Sequence, residues 1–207
     1  NISSSISNNM KIVYVGSAAQ YGKIKDPLKK VLESDNFNPI SPYGLMKSFE
    51  EIQLRYLASV HNANIVYARI FNLIGPGEPL MTFSGNIVSQ LLKNDHVKHG
   101  NLYPERDFLD VRDAANALRY IASRGKKDIV YNICSGSGIK IGDLLNIIIE
   151  TAGKKITLEK NTDLTRGAEI PKIIGSNKKL VELGWIQKFS LENSIKDLIN
   201  YYLKKEK

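Results

Sequence analysis

Ser41-Pro42-Tyr43-Gly44-Leu45-Met46-Lys47 opens a helix between two apolar strands, and that order decides the fold. Ser41 is an N-cap residue, and Pro42 takes the first helical position, where a missing N–H costs nothing. Apolar residues recur at Leu45, Phe49, Ile52, Tyr56 and Val60, a spacing that predicts an amphipathic helix over 42–61. Upstream, residues 11–16 (Lys-Ile-Val-Tyr-Val-Gly) form a short β-branched run closed by glycine, the pattern of a buried parallel strand. Downstream, residues 64–70 (Asn-Ile-Val-Tyr-Ala-Arg-Ile) repeat it. Strand, helix, strand predicts a parallel sheet with a right-handed crossover.

The helix places Tyr43 and Lys47 four residues apart, on one face. An ammonium beside a phenol stabilises the phenolate and lowers a pKa that is normally about 10, which suits general acid–base work. The spacing alone is weak: ten tyrosines and 22 lysines in 207 residues make about one such pair by chance, and the chain has three. Tyr21/Lys25 lies among loop residues and Tyr201/Lys205 in a lysine-rich tail, where a solvated helix pair accounts for it. Only Tyr43/Lys47 opens a long helix after a loop and has a polar partner placed by a preceding strand.

That partner is Ser17, which leaves the carboxyl end of strand 11–16, where open α/β sheets put their ligands. A serine there is by default a turn residue. Together, Ser17, Tyr43 and Lys47 in the contexts Ser-x-x-x-Tyr-Gly and Ser-Pro-Tyr-Gly-x-x-Lys resemble the catalytic set of the extended short-chain dehydrogenase/reductases, the NAD-dependent epimerase/dehydratase family acting on nucleotide sugars.

Composition narrows the alternatives. With 43% hydrophobic residues the chain can bury a substantial core. It has no apolar run of membrane-spanning length, and residues 1–9 lack signal-peptide character, so neither a membrane nor a secretory leader is expected. Cys134 is the single cysteine, which excludes a disulfide framework and points to a cytoplasmic setting; its default role is a small core residue. His61, His96 and His99 are scattered and predict no metal site. The net charge of +8 is dispersed without an interleaved aromatic platform, so no nucleic-acid partner is expected.

The resemblance continues along the chain. Ala68-Arg-Ile-Phe-Asn-Leu-Ile-Gly-Pro-Gly77 resembles the pattern of GDP-sugar enzymes, which implies Phe71 at the cofactor and Asn72 on the nucleotide diphosphate or sugar. Gly100-Asn101-Leu102 and Arg106-Asp107-Phe108 follow, implying substrate contacts from Asn101 and a diphosphate ligand in Arg106; the plain alternative for Arg106 is an ion pair with Asp107 or Asp110. Further helices are expected near 84–94, 111–124, 141–152 and 190–204, with strands at 129–133 and 156–158. Tyr131-Asn-Ile-Cys-Ser-Gly136, Arg166-Gly-Ala-Glu169 and Leu183-Gly-Trp185 are similar to the GDP-4-dehydro-6-deoxy-mannose reductase subfamily, with Arg166 on phosphate and Glu169 on ribose hydroxyls.

The resemblance therefore implies an α/β fold: a partial Rossmann-type doubly wound parallel sheet with a smaller C-terminal substrate-binding domain. Residues 1–75, with 111–135 returning, form the first part, and 76–110 with 136–207 the second. It implies NADP or NAD as cofactor, Tyr43 and Lys47 at the nicotinamide ribose, a GDP-sugar substrate reduced at a 4-keto group, and a homodimer when full length. A 4-epimerase uses the same three residues and stays open, as does a catalytically inactive nucleotide-sugar-binding remnant. Ala18-Ala19 stands where dehydratases of this branch carry an Asp-Glu pair, which argues against dehydration. No Gly-x-x-Gly-x-x-Gly opens a strand–helix unit, so the pyrophosphate-seating part is expected upstream of residue 1.

Overall fold

The computed structural model describes residues 10–24, 26, 28–161 and 170–205. Three parallel strands, β1 (Lys11–Ser17), β2 (Asn64–Ile70) and β6 (Val130–Ile133), form one sheet in the order β1-β2-β6. Helix α1 (Pro42–His61) connects β1 to β2, and α3 (Val111–Arg124) leads into β6. Side chains alternate across a strand, so the packing partners show which face each helix covers. Ile65 and Tyr67 of β2 pack with Ala58 of α1, whereas Val66 and Ala68 pack with Ala114, Ala117 and Ile121 of α3. The sheet is thus wound on both faces, and β2 is buried on both.

Helix α1 starts and stops where local chemistry demands. Ser41 Oγ accepts from Gly44 N at 3.1 Å, Pro42 follows, and Asn62 ends the helix in the left-handed conformation. Its apolar stripe turns the other way from a core-facing stripe. The sheet side carries Gly44, Ser48, Glu51 and Ala58, all buried, while Leu45, Phe49, Ile52, Tyr56 and Val60 are 43–68% exposed together with Met46 and Leu57.

The remaining elements build a second core. Strands β3 (Asn72–Ile74), β5 (Glu105–Asp110), β7 (Gly138–Lys140) and β9 (Lys172–Ile173) associate around β5, with β7 antiparallel to it. β4 (His96–His99) pairs in parallel with β8 (Thr157–Lys160). Helices α2 (Phe83–Lys93), α4 (Ile141–Ala152) and α6 (Leu191–Lys205) bury Ile87, Leu91, Leu144, Ile148, Ile195 and Leu198 against one another. The short α5 (Lys178–Glu182) buries Leu180 beside Trp185 in the α3-side core. Among the described residues no helix is long and apolar enough to cross a membrane.

Candidate active site

Ser17 closes β1 in register with Ile70 of β2, so Ser17 and the Phe71-Asn72 segment emerge at the same carboxyl edge of the sheet. A single 3-10 turn, Ala18–Gln20, follows Ser17 and is capped by it: Ser17 Oγ accepts from Ala19 N at 3.2 Å. A hydroxyl that accepts at its oxygen keeps its own O–H for donation. The first turn of α1 packs directly on this turn. A Cβ at Gly44 would lie 2.4 Å from the Ala19 carbonyl oxygen, so only glycine permits this approach. Tyr43, next to Gly44, is 52% exposed.

Lys47 Nζ sits 2.8 Å from Glu50 Oε2 and 5.7 Å from the centre of the Tyr14 ring. Tyr14 OH also lies 3.0 Å from both Glu50 Oε2 and the Lys47 carbonyl oxygen. Hydrogen bonds from Lys47 and then Tyr14 hold Glu50 below the usual carboxylate range. Burial first, and the Glu50 carboxylate second, push the Tyr14 phenol well above its ordinary value. Tyr14 is therefore a fixed donor rather than an acid at neutral pH.

The other Tyr-x-x-x-Lys tyrosines differ in setting. Tyr21 is 2% exposed, donates to Asn132 Oδ1 at 2.6 Å and packs against Phe71, a core position. Tyr201 carries the Lys205 ammonium 4.8 Å over its ring at the far end of α6. Tyr21 ends the Ser17 turn but is buried in the core, whereas Tyr43 is half exposed beside Gly44, which packs on that turn.

The expected ligand residues fall in several places. Phe71 is 5% exposed and packs with Tyr21 and Cys134, so its ring belongs to the core wall behind the sheet edge. Asn72 donates through Nδ2 to the Asp107 carbonyl oxygen at 2.9 Å, which ties β3 to β5. Asn101 Oδ1 accepts from Tyr103 N at 3.1 Å, and Arg106 Nη1 donates to the Glu105 carbonyl oxygen at 3.0 Å. Arg166 and Glu169 lie outside the described residues. The carboxylates considered as Arg106 partners have other work. Asp107 accepts from Ser135 N and Oγ, Gly136 N and Gly175 N, and Asp110 from Arg112 and Ser194.

Sequence reading missed a buried polar set beneath the site. Glu51, 0% exposed, accepts from Arg69 Nε at 3.0 Å and Nη2 at 2.7 Å, from Arg55 Nη2 at 2.9 Å and from Gln20 Nε2 at 2.9 Å. Burial alone would raise Glu51, but the Arg69 hydrogen bonds and charge overcome it and hold the carboxyl low. The signal was present in β2: Arg69 is a charge inside an otherwise apolar strand, and a buried cation needs a partner.

The family model described as NAD dependent epimerase/dehydratase matches residues 2–134. The chain belongs to the NAD-dependent epimerase/dehydratase family. Within this family it is 26% identical over 195 residues to the GDP-6-deoxy-D-mannose reductase of Pseudomonas aeruginosa, covering 91% of this chain and 64% of that protein. A putative UDP-glucose 4-epimerase of Methanocaldococcus jannaschii is 30% identical, over 92% of this chain and 62% of the relative. The chain thus spans less than two thirds of these relatives' length. Among solved structures, the RMD protein of Pseudomonas aeruginosa complexed with NADPH superposes with a TM-score of 0.86 at 25% identity, over 94% of this chain and 67% of that one. The UDP-glucose 4-epimerase of Thermus thermophilus in complex with NAD gives 0.85 at 22% identity, over 93% and 64%, a likeness of fold.

Proposed function

We propose that this chain carries the catalytic part of an NAD(P)H-dependent nucleotide-sugar oxidoreductase that reduces the 4-keto group of a GDP-4-keto-6-deoxy sugar. The observation that supports this reading is the close approach of the Ser17 turn and the first turn of α1, at Ala19 and Gly44, in which Ser17 Oγ accepts from Ala19 N and the neighbouring Tyr43 stays half exposed. The similarity to a GDP-6-deoxy-D-mannose reductase favours the GDP sugar and the reductive direction. The similarity to an epimerase supports the runner-up, a 4-epimerase built from the same residues.

Residues of the chain fit a nicotinamide nucleotide at this edge. Lys47 gives one N–H to Glu50, and an ammonium has three, so donors remain for the ribose hydroxyls. When bound, the reduced nicotinamide supplies the hydride for C4 of the sugar. Ser17 donates its O–H to the C4 oxygen and orients it. Tyr43 delivers its phenolic proton to the same oxygen as negative charge develops there, so ketone becomes alcohol. Asn72, Asn101, Arg106, Arg166 and Glu169 are assigned to the substrate, with the guanidinium groups suited to bidentate contact with its diphosphate.

We assign the outer face of α1 to a second copy of the chain. Leu45, Met46, Phe49, Ile52, Tyr56 and Val60 are 47%, 51%, 57%, 51%, 68% and 57% exposed along one side of this helix. Such a stripe against its own two-fold mate is self-complementary.

The test is to incubate the protein, expressed with any residues its gene encodes ahead of Asn1, with a GDP-4-keto-6-deoxy sugar and NADPH. Loss of reduced-nicotinamide absorbance with formation of the 4-hydroxy product supports the reductase. In a second arm with a GDP-4-hydroxy-6-deoxy sugar and NAD, inversion at C4 without net formation of reduced nicotinamide, and no consumption of NADPH with the keto sugar, would move the assignment to the epimerase.

A further inference from the structure

We propose that Gln20 is a positioning residue that locks the Ser17 turn to helix α1 through the buried carboxylate of Glu51. The inference rests on the assignment of Ser17 and Tyr43 to one reacting oxygen. Both groups must then sit within about 2.6–3.2 Å of that oxygen, and misplacement by about 1 Å can cost 10²-fold. Yet Ser17 ends a strand and Tyr43 lies in the first turn of a helix, and residues 18–42 lie between them.

The Gly44–Ala19 approach fixes how closely the two elements meet. It does not stop one from sliding along the other, because it is a steric contact without directional bonds. Gln20 supplies the direction. It is 0% exposed; its Oε1 accepts from Ser17 N at 2.7 Å and its Nε2 donates to Glu51 Oε2 at 2.9 Å. Glu51 lies on α1 two turns beyond Tyr43 and is itself held by Arg69 from β2. One amide therefore joins the backbone of Ser17 to the helix carrying Tyr43 and Lys47.

Few side chains can do this. The bridge needs an acceptor at one end and a donor at the other, and a neutral amide of this length offers both. Leucine offers neither, and methionine offers no donor and only a weak acceptor. Gly16 belongs to the same device: a Cβ there would lie 2.4 Å from Gln20 Oε1 and push the amide out of place. A glutamate at position 20 would be a conditional substitute. Two carboxyls at this distance share one proton at low pH and repel when both ionise.

The primary test needs no turnover. Amide hydrogen exchange of this chain, read by mass spectrometry, is compared for wild type, Gln20→Met, Gly16→Ala and Gln20→Glu. Gln20→Met and Gly16→Ala are expected to speed exchange about tenfold in residues 16–22 and also in 43–48, leaving α4 unchanged, because one hydrogen bond each way is lost. Gln20→Glu is expected to behave like Gln20→Met at pH 8 and to regain wild-type protection as the pH is lowered. Faster exchange confined to 16–22, with α1 untouched, overturns the proposal whatever the enzyme does. In the turnover assay, Gln20→Met is expected to lower kcat at least tenfold per folded molecule with KM unchanged, and Gln20→Glu to recover kcat on acidification. Coupled exchange with an unchanged kcat would also overturn the positioning role while leaving the assignment of Ser17 and Tyr43 standing. A wild-type protein without turnover, in which Gln20→Met and Gly16→Ala still speed exchange in both segments, would instead count against that assignment.

Discussion

Replacing Glu51 with alanine is expected to be among the most damaging single changes to the stability of this chain. Glu51 is 0% exposed, and the Arg69 side chain it faces is 4% exposed. Two bonds from Arg69, two from Arg55 and one from Gln20 end on its carboxylate. Truncation leaves the Arg69 guanidinium over the Tyr21 and Phe37 rings, at 4.8 and 4.5 Å, with the Glu33 carbonyl oxygen 3.3 Å away. Ring faces and one carbonyl cannot replace a full counter-charge in a dry site. Breaking a buried pair by removing one partner costs about 3–5 kcal/mol, which is a large part of the stability of an ordinary domain. Urea unfolding followed by circular dichroism measures it. The double replacement Glu51→Leu with Arg69→Met removes both charges and is expected to recover much of the loss, because apolar substitutes for a buried pair are often neutral. Lys98→Ala, which removes an exposed pair with Glu159 at 3.7 Å, serves as the control and is expected to change stability by less than about 1 kcal/mol. A Glu51→Ala protein within about 1 kcal/mol of wild type would show that water reaches this site and that the buried pair does not hold α1 in place.

Gly44→Ala is expected to destabilise by about 1–3 kcal/mol through the clash with the Ala19 carbonyl, although glycine to alanine inside a helix ordinarily stabilises by about 1 kcal/mol; the sign of the shift in a thermal melt decides. Glu78 is held above the ordinary carboxylate value by burial, against hydrogen bonds from Ser84 and Thr82, and its Oε2 is buried without a partner. A raised folded value means stability that is present below the unfolded value of 4.5 and lost as pH rises through the folded one. Wild type should therefore lose urea resistance relative to Glu78→Gln as pH increases from that value, and a parallel pair of curves would contradict this. Phe49→Glu with Ile52→Lys is expected to convert a dimer to a monomer in sedimentation velocity without changing the far-ultraviolet spectrum; retention of the dimer would remove α1 from the interface.

The parts legible in the sequence were those with local causes. Helix α1 and strand β2 occupy the residues expected, 42–61 and 64–70, because a Ser-Pro start and a short, largely apolar run act over a few residues. Strands β3, β7 and β9 have three, three and two residues and exist only through pairing with β5, so no periodicity announces them. The direction of the α1 stripe was also hidden. A spacing of three and four shows that a helix has an apolar side, but not whether that side meets the sheet or another surface. Here the small Gly44, Ser48 and Ala58 let the helix lie close to the sheet, and the long charged pair Glu51–Arg69 fills what remains. Gln20 escaped notice for a related reason: its two bonds reach Ser17 nearby and Glu51 far along the chain, and only the folded backbone brings them together.

The central claim is that Tyr43 is the proton donor of a Ser17–Tyr43–Lys47 site, and Tyr43→Phe in the turnover assay tests it most directly. The replacement keeps the ring on a half-exposed surface position and deletes only the hydroxyl. We expect kcat to fall by about 10²–10⁴, the usual contribution of a positioned acid or base, with nucleotide-sugar Kd unchanged. Tyr201→Phe, which alters a Tyr-x-x-x-Lys pair at the far end of α6, should leave kcat as it was. Full activity in Tyr43→Phe, or an equal loss in Tyr201→Phe, would contradict the account.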